Sequence, residues 1–200
     1  MKRIPYLFLI AVLFVLQACS SGGTVKQELA PPVKSGGPYN SSLPGAANTA
    51  GSAEVVPPLC SGAQDTNTAA FAAEVIRLVN VERAKVGVAP VANQTQLAQA
   101  AQKHSIDMGC NFFLSHTGTD ETSPFDRMDI YEYYYLVAGE NVAAGYATPA
   151  EVMTGWMNSA GHRANILDPD FAEIGIGYVY NPGDTTKGYK HYWTMDLGAQ

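Results

Sequence analysis

The stretch Gly155-Trp-Met-Asn-Ser-Ala-Gly-His-Arg-Ala-Asn-Ile-Leu167 sets an imidazole, a guanidinium and an amide (His162, Arg163 and Asn165) directly behind a glycine. Such a group could hold a ligand carboxylate, or it could cap a helix and satisfy loop carbonyls, and capping is the reading we prefer for Arg163 and Asn165. Two further histidines have company. His116 ends Phe113-Leu-Ser-His116, where the chain turns polar, and His104 falls on an apolar helical stripe. A stripe position suits a core imidazole satisfied by a neighbour such as Asp107 better than a ligand. Ser159 and Ser115 each lie close to a histidine in sequence, the minimum for a nucleophile and its base. No Gly-x-Ser-x-Gly elbow and no His-Glu-x-x-His pair occurs anywhere in the chain. Glu140 stands between Gly139 and an Asn-Val-Ala-Ala run, a setting that predicts the start of a short helix with the carboxylate at its positive end.

The elements that must carry these residues are legible. Thr148-Pro149-Ala150-Glu151 is a capping box with proline at the first helical position, and Val152, Met153, Trp156 and Met157 form one apolar stripe behind it. Gly161 is expected to end that helix, leaving His162 at its terminus. A first helix is expected over Asn67 to Lys85, stopped by Gly87 and Pro90. A second runs from about Gln94 to Met108, with Leu97, Ala101, His104 and Met108 on one face. Asn111 to His116 reads as a helix exit with Phe112 and Phe113 packing inward, and Thr117 to Ser123, before Pro124, as a cleft wall. Tyr131-Glu-Tyr-Tyr-Tyr-Leu136 reads as a partly buried strand or irregular segment rather than a ligand platform. Ile174, Ile176, Tyr178 and Tyr180 alternate along one strand, and Asn181-Pro-Gly-Asp184 turns it towards an antiparallel partner over Tyr189 to Leu197. Helices followed by a hairpin make an α+β domain.

The first third of the chain is of another kind. Met1-Lys-Arg3 is basic, Ile4 to Leu16 is apolar but too short for a stable span, and Leu16-Gln-Ala-Cys19 follows. Residues 1–18 are therefore expected to be a signal peptide that resembles bacterial lipoprotein signals, with Cys19 lipidated after cleavage at Ala18. Stable anchorage takes more than one acyl chain, as such processing provides. Residues 19–63, rich in Ser, Gly, Pro, Ala and Thr, are expected to be a flexible tether, and 64–200 the folded domain. Ser20 and Ser21 lack the acidic residue that retains many lipoproteins in the inner membrane, which by resemblance favours the outer membrane, facing either the periplasm or the outside. With Cys19 assigned to lipid, Cys60 and Cys110 remain as a disulfide pair for an exported compartment, two free thiols being the alternative. The formal charge of −6 becomes −8 when Lys2 and Arg3 leave with the signal. An acidic surface argues against nucleic acid and against adsorption to anionic lipid, so membrane contact is expected through the anchor alone.

Six blocks in order carry a family resemblance: Val79-Asn-Val-Glu-Arg83, Phe113-Leu-Ser-His116, Gly139-Glu-Asn-Val-Ala143, the stretch Gly155 to Leu167, Glu173-Ile-Gly-Ile-Gly177 and Tyr192-Trp-Thr-Met195. Over roughly residues 68 to 198 the chain resembles the bacterial branch of the CAP superfamily (cysteine-rich secretory proteins, antigen 5 and pathogenesis-related 1 proteins, or SCP domains). The resemblance implies a three-layer α–β–α sandwich. It also implies a central cleft with His116, Glu140 and His162 at the family's two histidines and one of its two acidic positions. Ser159 stands where the eukaryotic pattern has the second acid. In some members these positions bind a divalent metal, so a weakly held cation such as Zn²⁺ is the cofactor the resemblance suggests. Four readings follow: a non-catalytic binding module for an apolar, envelope or host ligand; a metal-dependent hydrolase using His116, Glu140 and His162; a serine hydrolase; and a purely structural hydrogen-bonded cluster. The first is the reading adopted.

Overall fold

The computed structural model describes residues 28–30, 32–36 and 56–200. The expected signal segment, Cys19 and most of the expected tether lie outside the described residues. In chain order the elements are β1 (Glu28–Leu29), β2 (Val33–Gly36), α1 (Thr68–Lys85), β3 (Ala92–Asn93), α2 (Thr95–Asn111) and α3 (Pro124–Ile130). Then come β4 (Val137–Ala144), α4 (Pro149–Asn158), α5 (Ala160–Leu167), β5 (Glu173–Tyr180) and β6 (His191–Ala199). The sheet runs β1-β4-β6-β5-β3, with β2 also on the outer edge of β4; β3 pairs parallel with β5 and every other pair is antiparallel.

Strand alternation divides the core between two faces. From β5 and β6, Ile174, Ile176, Tyr178, Trp193, Met195 and Leu197 meet Val75 and Val79 of α1, Val152 and Trp156 of α4 and Ile166 of α5. On the other face α2 lies directly on β5. A Cβ added at Gly175 would stand 2.1 Å from the Ala98 nitrogen, and one at Gly177 2.2 Å from the Ala101 oxygen. The two glycines of Glu173-Ile-Gly-Ile-Gly177 therefore let helix backbone touch strand backbone. Helices on both faces make the three-layer α–β–α sandwich. The disulfide Cys60–Cys110, with a Cα separation of 5.8 Å, ties the entry of the domain to the last turn of α2.

Four expectations need correction. Gly139-Glu-Asn141 does not begin a helix but lies within β4, flanked by β6 on one side and β2 on the other. Because all but the first residue of β4 are buried, no polar alternation marks it as a strand. Gly161 does not terminate α4. Ser159, extended at φ −91° and ψ 121°, breaks the helix after Asn158, and Gly161 and His162 lie in α5. His104 is buried as expected, but its Nε2 meets the Ser115 carbonyl at 2.7 Å rather than Asp107, which instead accepts from Thr119 and Asn111. Finally, residues 28–36 are not a free part of the tether. They form a strap, β1 and β2 with Ala30 and Pro32 between them, along the edge of β4. Pairing with β4 satisfies their backbone, a stabilisation that composition alone does not show.

Candidate functional site

Glu140 is central. β4 carries it onto the α2 face, fully buried, where Oε1 accepts from His116 Nδ1 at 2.5 Å and Oε2 from Arg127 Nη2 at 2.7 Å. Arg127, itself 1% exposed, also donates through Nη1 to the carbonyls of Thr122 (2.9 Å) and His116 (3.1 Å), and through Nη2 to the His116 carbonyl. It thus fixes the cleft-wall loop and the carboxylate together. Its helix, α3, starts with a full capping box, Ser123 with Asp126, and has Pro124 in its first turn. Burial alone would raise the Glu140 pKa. The charge of Arg127, joined by the hydrogen bond from His116, overcomes it and holds the carboxyl well below the usual carboxylate range.

Across the β4–β6 ladder the partner of Glu140 is Asp196. Asp196 is fully buried, and neither of its oxygens receives a hydrogen bond from a fixed donor. Burial first, and the Glu140 charge second, push its pKa well above the ordinary value. His104 is the complementary case. Burial pulls it down to about 4, so the imidazole is neutral, with Nε2–H given to the Ser115 carbonyl and Nδ1 unpartnered.

His162 sits apart from this cluster, on α5. Its Nδ1 lies 2.7 Å from Ser159 Oγ and its Nε2 makes a short contact with the carbonyl of Ala30 in the strap. A carbonyl only accepts, so Nε2 carries the proton and Nδ1 of the neutral ring accepts from the serine. Burial lowers the pKa of His162, the Ala30 bond opposes this, and the field of His116 adds to the lowering. The two histidines therefore sense each other without sharing a ligand. Below the strap, Asn165 Nδ2 donates to Asn141 Oδ1 (3.0 Å) and to the Val33 carbonyl (3.2 Å), while Asn141 Nδ2 donates to the His162 carbonyl at 3.2 Å. Arg163 caps, as expected, by donating to the Met157 carbonyl. Asn165 does not cap; it holds the strap.

His116 and Glu140 are thus brought together, His162 and Ser159 are paired nearby, and Arg127, Asp196, Asn141 and Asn165 complete the arrangement. The Ser123-Pro-Phe-Asp126 box could have revealed α3 and hence Arg127; no sequence signal marks Asp196. A divalent cation does not fit the donors as they stand. Both oxygens of Glu140 and both nitrogens of His162 are engaged, and among the described residues no three His, Cys, Asp or Glu side chains converge as a ligand set.

A three-layer sandwich with this buried His–Glu–Arg cluster on an inner strand defines the class. The sequence model of the cysteine-rich secretory protein (CAP) family matches residues 76–197, and the chain belongs to that family. It is 42% identical over 114 residues to the protein YkwD of Bacillus subtilis, covering 57% of this chain and 44% of that one. It is 35% identical over 104 residues to the membrane protein YlbC of the same organism, covering 52% and 30%. The chain therefore spans less than half the length of these curated relatives. Among solved structures it superposes on an extracellular SCP-domain protein from Bacillus anthracis with a TM-score of 0.59 and 27% identity, over 66% of this chain and 41% of that one. An outer surface protein of Borrelia burgdorferi shares the fold at a TM-score of 0.58 and 18% identity, over 68% and 96%.

Proposed function

We propose that this is an exported, lipid-anchored envelope protein whose CAP domain is a non-catalytic interaction module, held away from the membrane by the segment after Cys19. The observation that carries the reading is the enclosure of Glu140, fully buried and held on both oxygens by His116 and Arg127. A general base or metal ligand must face its substrate, and this carboxylate is fully enclosed with both oxygens turned to His116 and Arg127 of the fold. The Ser159–His162 pair has the polarity of a nucleophile and its base, but the imidazole's other nitrogen faces a main-chain carbonyl. The carboxylate that would orient such a ring is committed elsewhere. Export is supported by the signal-like start of the sequence and by the extracellular and outer-surface descriptions of the two structural relatives.

The test of the non-catalytic reading is calorimetric titration of zinc into the mature protein, with hydrolysis of simple esters and peptides assayed in parallel. No stoichiometric binding and no turnover is expected. Zinc binding that disappears in the His116→Ala/His162→Ala double variant, or metal-dependent hydrolysis, overturns it. Anchorage is tested by fractionation: Cys19→Ser should move the protein from membranes to the soluble fraction, and a variant retained in membranes refutes the anchor.

A further inference from the structure

The strap is held in a manner that suits a ligand. Residues 28–36 lie outside the portion of the chain that matches the family, residues 76–197, whereas the groups that grip them lie within it. Two side chains, His162 and Asn165, reach main-chain carbonyls of the strap at Ala30 and Val33, and recognition of main-chain atoms requires an extended strand rather than one side chain. The strand direction is set by the antiparallel ladder that pairs Val33 with Glu140 and Gly36 with Val137.

Room for such a strand is built into the domain. A Cβ at Gly161 would stand 2.6 Å from Pro32 Cγ, and one at Gly139 would stand 3.0 Å from the Val33 carbonyl oxygen. Two glycines on different elements thus clear one lane. Side-chain selectivity sits at its end, where Lys34 pairs with Asp168, approaches Asp170 at 3.6 Å and stands 5.1 Å from the centre of the Phe171 ring. The other long edge of β4 is taken by β6. Lifting the strap would leave a buried-type strand with an unpaired row of backbone donors and acceptors.

We infer that the outer edge of β4, with His162, Asn165 and the Asp168–Phe171 corner, is a receptor groove for an extended polypeptide, and that residues 28–36 are its tethered occupant. The ligand class is a strand with a proline over Gly161, a small apolar residue after it and a lysine at the acidic corner. The inference rests on the reading of the domain as an interaction module and names what that module binds. The strap then acts as a competitor in cis, present at high effective concentration because it belongs to the same chain.

The experiment uses the mature chain with a protease site introduced between residues 37 and 55, folded first and cut afterwards, so that the Cys60–Cys110 bond stays in the body. Size-exclusion chromatography follows release of the N-terminal fragment. A fluorescent synthetic peptide of residues 28–36 is then titrated into the cut, washed protein and read by anisotropy. The expected results are release of the fragment, saturable binding to cut protein and at least tenfold weaker binding to uncut protein, where the strap competes. A peptide carrying Lys34→Glu should bind at least fivefold more weakly, a control that leaves the protein unchanged, and His162→Ala/Asn165→Ala in the protein should cost at least tenfold. A fragment that never leaves, a peptide that does not bind, or equal binding to cut and uncut chains overturns the inference. Release and rebinding report on the groove alone, while the zinc and ester assays judge the non-catalytic reading.

Discussion

Arg127→Met is the substitution that most directly interrogates the buried cluster. It keeps the length of the side chain and removes the guanidinium that donates to Glu140 and to the carbonyls of His116 and Thr122. Breaking a buried ion pair by deleting one partner costs about 3–5 kcal/mol, because the remaining charge is left uncompensated. With a urea m-value of about 2 kcal/mol/M, a loss of about 4 kcal/mol lowers the unfolding midpoint by about 2 M. The pH dependence gives a second check. In the native protein Glu140 titrates below its unfolded value of about 4.3, so its stabilisation is present above that pH and is lost as pH falls through the lower folded value. In the variant, burial dominates and raises the folded pKa, so the penalty appears as pH rises above the unfolded value and is relieved in acid. The midpoint difference between native protein and variant should therefore be large at pH 7 and shrink towards pH 4. Urea denaturation at both pH values reads it, and Glu140→Gln added to Arg127→Met should recover part of the loss at pH 7. A deficit below about 1 kcal/mol, or one that grows in acid, refutes the account of Glu140 as a charge neutralised by Arg127.

Further outcomes follow from other parts of the molecule. Asp196→Asn should stabilise the protein at pH 7 and lose that benefit near pH 4, since a carboxyl with a raised folded pKa weakens the native state as pH climbs above the unfolded value; paired denaturation curves measure this. Cys60→Ser/Cys110→Ser should cost about 4 kcal/mol in thermal or urea unfolding, the chain-entropy value for opening a loop of this length. Gly177→Ala, whose new Cβ would press on the α2 backbone at Ala101, should cost about 3 kcal/mol or more and show as loss of soluble protein or of cooperative melting.

The helices were readable because their signals are local. Thr148 with Glu151 forms the expected capping box, and the stripe Leu97, Ala101, His104 and Met108 is fully buried. The β5–β6 hairpin was readable from its alternation and turn. β4 was not, because nearly every position along it is buried and the period-2 signal vanishes. Gly161 misled for a related reason. Its lack of a side chain serves the packing of Pro32, a residue far away in sequence, and not a helix stop. At the site, His116, Glu140 and His162 came from resemblance, whereas Arg127 and Asp196 depend on ladder register and on a short helix that only tertiary structure brings to Glu140.

The order of attachment along the chain gives the strap a mechanical meaning. A pull on the N-terminal end reaches residues 28–36 before it reaches Cys60, where the disulfide hands the load to α2. The short strands of the strap can peel from β4 before load reaches the disulfide-bonded body. The cross-linked body beyond Cys60 need not deform. With the proposed anchor at one end and the proposed polypeptide ligand at the other, tension would bare the β4 edge, making the strap a fuse whose failure exposes a binding surface.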